Sequence, residues 1–310
     1  MVSVPPDRTD SPEMNLFSHM PALLATISME FLMKLTVLVD NNTLIDRYFE
    51  AEPGLSFLVE DEDRRLLFDT GYSDLFLKNA MRMGRSLSEL DYLVLSHSHL
   101  DHTWGLDPLI RYYAELEMQR RPFRRPAVIA HPEIFHSVSA EGFAEFGTLF
   151  SEDKIGRHFS VQLSARPVHL TERLIFLGEI PRLNGFEGAL TFGRKLGATE
   201  DDVVIEDSAL VYQSTAGLIV ITGCSHAGIC NIVEYAKSVC GDDRVLDIVG
   251  GLHLQNPPDE QLAGTMDYLA KLGPRAVHAC HCTDLQSKIA LSHVVPVEEV
   301  GVGLRLHYDE

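Results

Sequence analysis

Positive charge is scarce: 26 lysines and arginines stand against 45 aspartates and glutamates, a formal net charge of −19. A nonspecific grip on nucleic acid needs clustered cations to neutralise phosphates, so no nucleic-acid partner is expected. Cysteine is sparse as well. Cys224, Cys230, Cys240, Cys280 and Cys282 form an odd set in the C-terminal third, without the spacing of a disulfide framework. That usage fits a reducing compartment, and the expected location is cytoplasmic. The chain has no GxxxxGK[ST] loop, no GxGxxG opening a helix and no GxSxG elbow, so a nucleotide cofactor site is not indicated. Long uninterrupted apolar runs are missing too. The stretch "MNLFSHMPALLATISMEFLM" (14 to 33) carries His19, Pro21 and Glu30, lacks the basic start of a secretory signal, and is too broken to span a bilayer. Residues 1–32 are therefore expected to be a poorly ordered N-terminal extension, with Met33 the natural beginning and no membrane partner.

What remains is ordinary soluble composition, 45% hydrophobic and 23% charged, arranged as short apolar runs bounded by Gly, Pro, Asp or Asn. "LTVLVD", "LSFLVED", "RRLLFDTG", "DYLVLSH", "PAVIAHP", "RLIFLGE", "SALVYQS", "GLIVITG", "VLDIVGG" and "PRAVHAC" read as strands. Helical periodicity covers 73–84, 106–119, 228–240 and 259–273. There is no internal repeat and no low-complexity linker, so residues 33–310 are expected to be a single domain. Residues 136–165 have weak periodicity and read equally as a lid over a site or as a plain surface insertion.

Chemistry concentrates in "VLSHSHLDHTWGL", residues 94–106. If the strand runs to Ser96, alternation turns His97 and His99 to one side, and two imidazoles face one point. Asp101 and His102 follow at the turn into the next helix. There they form a second pair near a neighbouring point, about 3.5 Å away as in two-metal sites. A satisfied core histidine accounts for one such residue, not for three at the end of an apolar strand. One turn cannot complete two coordination spheres. Cys224, His226, His253 and His281, each directly after an apolar strand, are the remaining candidates.

The set "LFDTG", "SHSHLDH", "TGCSHAGICN" and "HCTD" resembles the metallo-β-lactamase fold, an α+β architecture built as a four-layer αββα sandwich. More narrowly, "VLVDNN", "GLSFLVE", "GEIPRLNGFE", "EDSALV", "TGCSHAGI", "GGLHL" and "HCT" resemble the dihydropterin-ribofuranosylaminobenzene 5'-phosphate synthase-like metallohydrolases, in order from about residue 34 to 284. The resemblance implies that His97 and His99 bind a first metal, and that Asp101, His102 and His281 bind a second. Cys224 stands where many relatives place a bridging aspartate, so a thiolate ligand is implied there. Asp69 matches a carboxylate that usually lies behind the metals. No histidine precedes "SALVYQ", where the third ligand of the first metal is usually found. His226 is the first candidate to replace it and Asp207 the alternative. Trp104 stands where relatives usually have a small residue, and Asp284 where the subgroup usually has glycine.

His253 lies near the position of a histidine that protonates a leaving oxygen in phosphodiester-cleaving relatives; a ligand or a structural hydrogen-bonder are the competing roles. Arg182 and Glu187, in "IPRLNGFE", are open between a phosphate grip and an internal ion pair. Asn42 is open between substrate contact and a plain turn. His131 is expected to be structural.

The expected function is a binuclear metal-dependent hydrolase, in which a metal-bound hydroxide attacks a phosphorylated or cyclic ester small molecule. Asp101 would orient the hydroxide and His253 assist the leaving group. Two divalent ions are implied, zinc first, with iron and manganese open. One alternative is a transferase condensing a dihydropterin with an aminobenzene ribofuranosyl phosphate; another is a noncatalytic metal-containing sensor. A homodimer is open, with no heptad pattern to argue for it.

Overall fold

The structure, a computed structural model, describes residues 33–308, which fall within one compact unit. The expected extension, residues 1–32, lies outside the described residues. In chain order the elements are β1 (Met33–Val39), β2 (Ser56–Asp61), β3 (Arg64–Phe68), α1 (Leu75–Arg82), β4 (Tyr92–Val94), α2 (Leu100–Thr103), α3 (Leu106–Met118) and β5 (Ala127–Ala130). Then come β6 (Val138–Ser139), α4 (Glu152–Ile155), β7 (Ser160–Leu163), β8 (Val168–His169), β9 (Leu174–Phe176), β10 (Arg194–Lys195) and β11 (Ala209–Ser214). The last are β12 (Gly217–Thr222), α5 (Ile229–Cys240), β13 (Val245–Gly251), α6 (Asp259–Leu272), β14 (Ala276–Cys280), α7 (Leu285–Ser292) and β15 (Arg305–Tyr308).

The long strands form a seven-stranded sheet of order β15-β1-β2-β3-β4-β5-β7 and a six-stranded sheet of order β14-β13-β12-β11-β9-β8. Alternation decides what each face meets. In β11 and β12, Leu210, Tyr212, Ile219 and Ile221 point into the core between the sheets, opposite Phe57, Phe68, Val94 and Ile129. Their neighbours Val211, Leu218 and Val220 pack outward against Ile229, Ile232, Val233 and Leu269 of α5 and α6. On the other side, Leu67, Leu93 and Val128 meet Phe76 of α1 and Leu106, Leu109 and Tyr113 of α3. Helix, sheet, sheet and helix are therefore four layers, the expected αββα sandwich. "GLIVIT" is buried throughout because β12 has a strand on each side and both faces covered. No described helix is long and apolar enough to cross a membrane.

Helix boundaries follow local signals. Gly241 and Gly273 end α5 and α6 in the left-handed conformation. Asp284 caps α7 by accepting from the Ser287 amide at 2.7 Å, and it also accepts from the Asn256 amide at 2.7 Å. This departure from the subgroup's glycine thus has a capping role.

Strand β4 ends at Val94, two residues earlier than expected, because the Ser96 amide turns to the Asp69 carboxylate at 2.7 Å. The helix expected from Leu106 is preceded by the short α2, which carries Asp101 and His102. This turn is zipped to the "DTG" turn. Thr70 donates through its amide and its hydroxyl to the His102 carbonyl, each at 2.9 Å, and the Gly105 amide donates to the Gly71 carbonyl at 3.1 Å. A Cβ on Gly105 would lie 2.1 Å from the Thr70 carbonyl oxygen, so only glycine permits the approach. Gly105→Ala is expected to cost about 1–3 kcal/mol of stability or more, read as a lower urea midpoint at constant m-value. An unchanged midpoint would show that the two turns can separate freely.

Candidate metal centre

Asp69 follows β3 in the left-handed conformation, φ 57°, and is fully buried. Its Oδ2 accepts the Ser96 hydroxyl at 2.7 Å and lies 2.7 Å from His102 Nδ1. Having donated its proton to Asp69, Ser96 Oγ is left to accept from His97 Nδ1 at 2.9 Å. Both imidazoles are thereby assigned the tautomer that carries a lone pair on Nε2. One carboxylate sets two ligands.

Those lone pairs point into two adjoining clusters. His97, His99 and His226 form the first, with ring centroids 4.6 to 4.7 Å apart. All three are buried, and His97 Nε2, His99 Nε2 and both His226 nitrogens have no hydrogen-bond partner. In the second, His102 Nε2 lies 3.1 Å from His281 Nε2 and 3.3 Å from Cys224 Sγ. His281 Nε2 lies 3.3 Å from Asp101 Oδ2. The ring of His281 is aimed by Asn41, whose Oδ1 is 3.0 Å from Nδ1, while its amide donates to Asp40 at 2.9 Å.

Electrostatics separate the two clusters. Burial lowers the His97, His99 and His226 imidazoles, His99 to about 4, and neighbouring imidazoles reinforce the shift for all three. They are neutral near pH 7, the form that binds metal. At the second cluster, the His102 and His281 rings outweigh burial and hold the Asp101 carboxyl well below the usual carboxylate range. Against the effect of its burial, His281 is raised to about 9 by Asp101 and Cys282. This corner therefore favours positive charge.

His226 occupies the place sought for a third ligand of the first group. It sits in a turn pinned by Asp207, whose Oδ2 accepts from the Ala227 amide at 2.8 Å. Asp207 supports this turn and is not in the ligand cluster; burial pushes its carboxyl up to about 7. His253, φ 52°, places its ring 4.4 Å from that of His226 and 4.9 Å from that of Phe192. Phe146 packs on His99 at 4.5 Å, and the Phe146 carbonyl accepts from the Leu100 amide at 3.0 Å. Segment 136–165 thus includes a wall of the site. It is tied through the β6–β10 pair to Arg194 and Lys195. There Lys195 lies 3.2 Å from Glu206, which accepts from the Ser98 hydroxyl at 2.6 Å, between the two histidines.

The remaining candidates lie around these clusters. Asn42 is exposed and engages through its backbone, donating to Asp40 and accepting from Val302; the side chain that reaches the site is Asn41. Of the two readings open for Arg182 and Glu187, the internal ion pair does not form. Arg182 donates to the Val203 and Val204 carbonyls, whereas Glu187 caps α5 by accepting from the Cys230 and Asn231 amides. Trp104 stacks on Tyr72 at 5.3 Å and donates to the Gly147 carbonyl, outside the ligand clusters. His131 caps a short turn through Glu133 and is structural. Asp40, Asn41, Ser96, Glu206 and Cys282 were not singled out from the sequence. Of these, Cys282 was the most visible, next to His281 in "HCT".

Unpartnered buried nitrogens converging with a carboxylate and thiols fit divalent metal ions, since such groups are rarely left without a partner. Comparison with known proteins agrees. The sequence pattern of the metallo-beta-lactamase superfamily matches residues 50–115. The chain is 34% identical over 259 residues to the 7,8-dihydropterin-6-methyl-4-(beta-D-ribofuranosyl)-aminobenzene-5'-phosphate synthase of Methanocaldococcus jannaschii, covering 77% of this chain and 84% of the relative. An uncharacterized protein of the same organism is 30% identical over 262 residues, 83% of this chain and 93% of the other. A solved structure described as a metal-dependent hydrolase of the beta-lactamase superfamily superposes with a TM-score of 0.73 at 25% identity, covering 90% of this chain and 100% of that one. The metallo-β-lactamase fold protein YhfI of Bacillus subtilis shares the fold at a TM-score of 0.52 and 15% identity, covering 88% of this chain and 99% of that one.

The chain belongs to the metallo-β-lactamase superfamily. Within it, the chain falls in the subgroup that resembles the dihydropterin-ribofuranosylaminobenzene phosphate synthase.

Asp69→Asn keeps the size of the side chain but removes the charge that orients His102 and, through Ser96, His97. Metal affinity is expected to fall about 10- to 100-fold, measured by competition with a chromogenic chelator. Unaltered affinity would mean that the rings are positioned by packing alone.

Proposed function

We propose that the protein is a binuclear metal-dependent hydrolase of a phosphorylated or cyclic ester small molecule. The observation that carries this reading is the chain of overlapping ligand groups that runs from His99 and His226 through His97 and His102 to Asp101, Cys224 and His281, with a further imidazole, His253, beside His226. His97, His99 and His226 would hold one ion; Asp101, His102, Cys224 and His281 would hold the other, zinc being the ion the donor set favours. Bound divalent ions supply Lewis acidity and lower the pKa of a coordinated water to about 7.

The chain's own groups do the rest. The Asp101 side chain is 24% exposed, so its carboxylate can accept a hydrogen bond from an incoming water. His253 is half-buried, and its carbonyl is held by the Gln261 amide group at 3.2 Å. An imidazole there can give a proton to the departing oxygen. Phe146 and Phe192 present apolar surface around the histidines and limit competing water.

The 34% identity to the synthase favours one second reading, transfer of a pterin to a phosphorylated aminobenzene riboside. Hydrolysis of bis(p-nitrophenyl) phosphate by zinc-loaded protein separates the two, with His102→Ala expected to abolish turnover. His253→Ala is expected to cost little on this diester, whose leaving group needs no proton, and about 100-fold or more in kcat on an alkyl diester. No turnover of either diester by fully metal-loaded protein would refute the phosphodiesterase form of the proposal and shift weight to transfer.

A further inference from the structure

Cys282 has no part in the ligand set above, yet its sulfur faces the same corner. Cys224 Sγ, Cys282 Sγ and a His281 ring nitrogen all lie within 4.8 Å of one another. Successive residues of an extended strand point to opposite faces. Here β14 has ended at Cys280, and His281 takes φ 50°, which brings the side chains of His281 and Cys282 to one place. Room for the thiol comes from β13: a Cβ on Gly251 would lie 2.5 Å from Cys282 Sγ. The sulfur lies 3.3 Å from the Cys224 carbonyl oxygen, a weak S–H···O contact that ligation would readily replace.

The distances suit coordination. A tetrahedral ion with bonds of about 2.0 Å to nitrogen and 2.3 Å to sulfur separates its ligand atoms by about 3.3 to 3.8 Å. The contacts of His102 Nε2 with His281 Nε2 at 3.1 Å and with Cys224 Sγ at 3.3 Å are close to that edge, and the ligand atoms of Cys224, His281 and Cys282 lie within 4.8 Å of one another, so an ion would draw them together.

We infer that Cys282 is a metal ligand, joining His102, Cys224 and His281 in a tetrahedral set with a pair of sulfur donors and leaving the Asp101 carboxylate to the incoming water rather than to direct ligation. The inference rests on reading the clusters as a metal centre. A sulfur pair selects a thiophilic ion such as zinc and disfavours manganese and magnesium, which prefer oxygen. It also distinguishes the two positions, one all-imidazole and one sulfur-rich.

Cobalt(II) reports sulfur ligation directly. The chelated full-length protein, reloaded with two equivalents of cobalt(II), is expected to develop a sulfur-to-cobalt charge-transfer band in the near ultraviolet. Cys224→Ser and Cys282→Ser should each lower the band to about half while cobalt stays bound, and the double variant should abolish it. A full band in Cys282→Ser, or no band in the wild type with cobalt bound, overturns the inference. Cadmium-113 resonance of the wild-type protein tests the same point without relying on variants that must fold. A shift downfield into the two-sulfur range supports the inference, and a one-sulfur or sulfur-free shift refutes it. Because these readouts need no turnover, a protein with the band but no hydrolysis would refute the hydrolase reading and leave the ligand assignment standing.

Discussion

Asp69 carries a fully buried carboxylate that receives the Ser96 amide, the Ser96 hydroxyl and the His102 ring at 2.7 Å each. A buried charge is tolerated only when it is saturated with donors, so these three groups are as necessary to Asp69 as Asp69 is to them. The Ser96 amide ends β4, the hydroxyl passes the constraint to His97, and the ring contact fixes His102. The "DTG" and "HLDHTWG" turns are then held together by the backbone bonds from Thr70 and Gly105. Every other ligand approaches a floor built in this way.

The floor lies where parallel strands end. β3 and β4 are parallel in one sheet; β12, β13 and β14 are parallel in the other. Asp69 and the histidine turn follow the first pair, while Cys224 with His226, then His253, then His281 with Cys282, follow the second set. Chemistry gathered from both halves of the chain thus meets at one end of the sandwich, because parallel neighbours deliver their C-terminal loops to the same edge. The layers need only be packed to assemble the site.

The sequence made much of this legible. Alternation and apolar runs marked the strands that carry the two sheets, and helical periodicity located α1, α3, α5 and α6 to within two residues at each end. The HxHxDH turn and the residues after β12 and β14 were visible because ligand types followed apolar strands. Less visible was anything decided by a hydrogen bond between distant segments. The end of β4 depends on Asp69, 27 residues away. The choice of Asn41 over Asn42 depends on His281, 240 residues from Asn41. The internal ion pair open for Arg182 and Glu187 is replaced by partners distant in sequence, the carbonyls at 203–204 for Arg182 and the first amides of α5 for Glu187. Cys282 stood beside His281 in the sequence, but its side chain reaches the same corner only through the left-handed backbone of His281.

The cover and the floor of the site are held by bonds of different number. The floor belongs to strands buried within a sandwich, whereas β6 and β10 pair through two residues each, supported by Lys195 beside Glu133, Asp202 and Glu206. Segments with so short a ladder open at a smaller free energy than the domain unfolds. This rim is therefore expected to open locally before the domain unfolds, and the contacts that oppose it are the ion pairs of Lys195 with the buried Asp202 and Glu206 carboxylates.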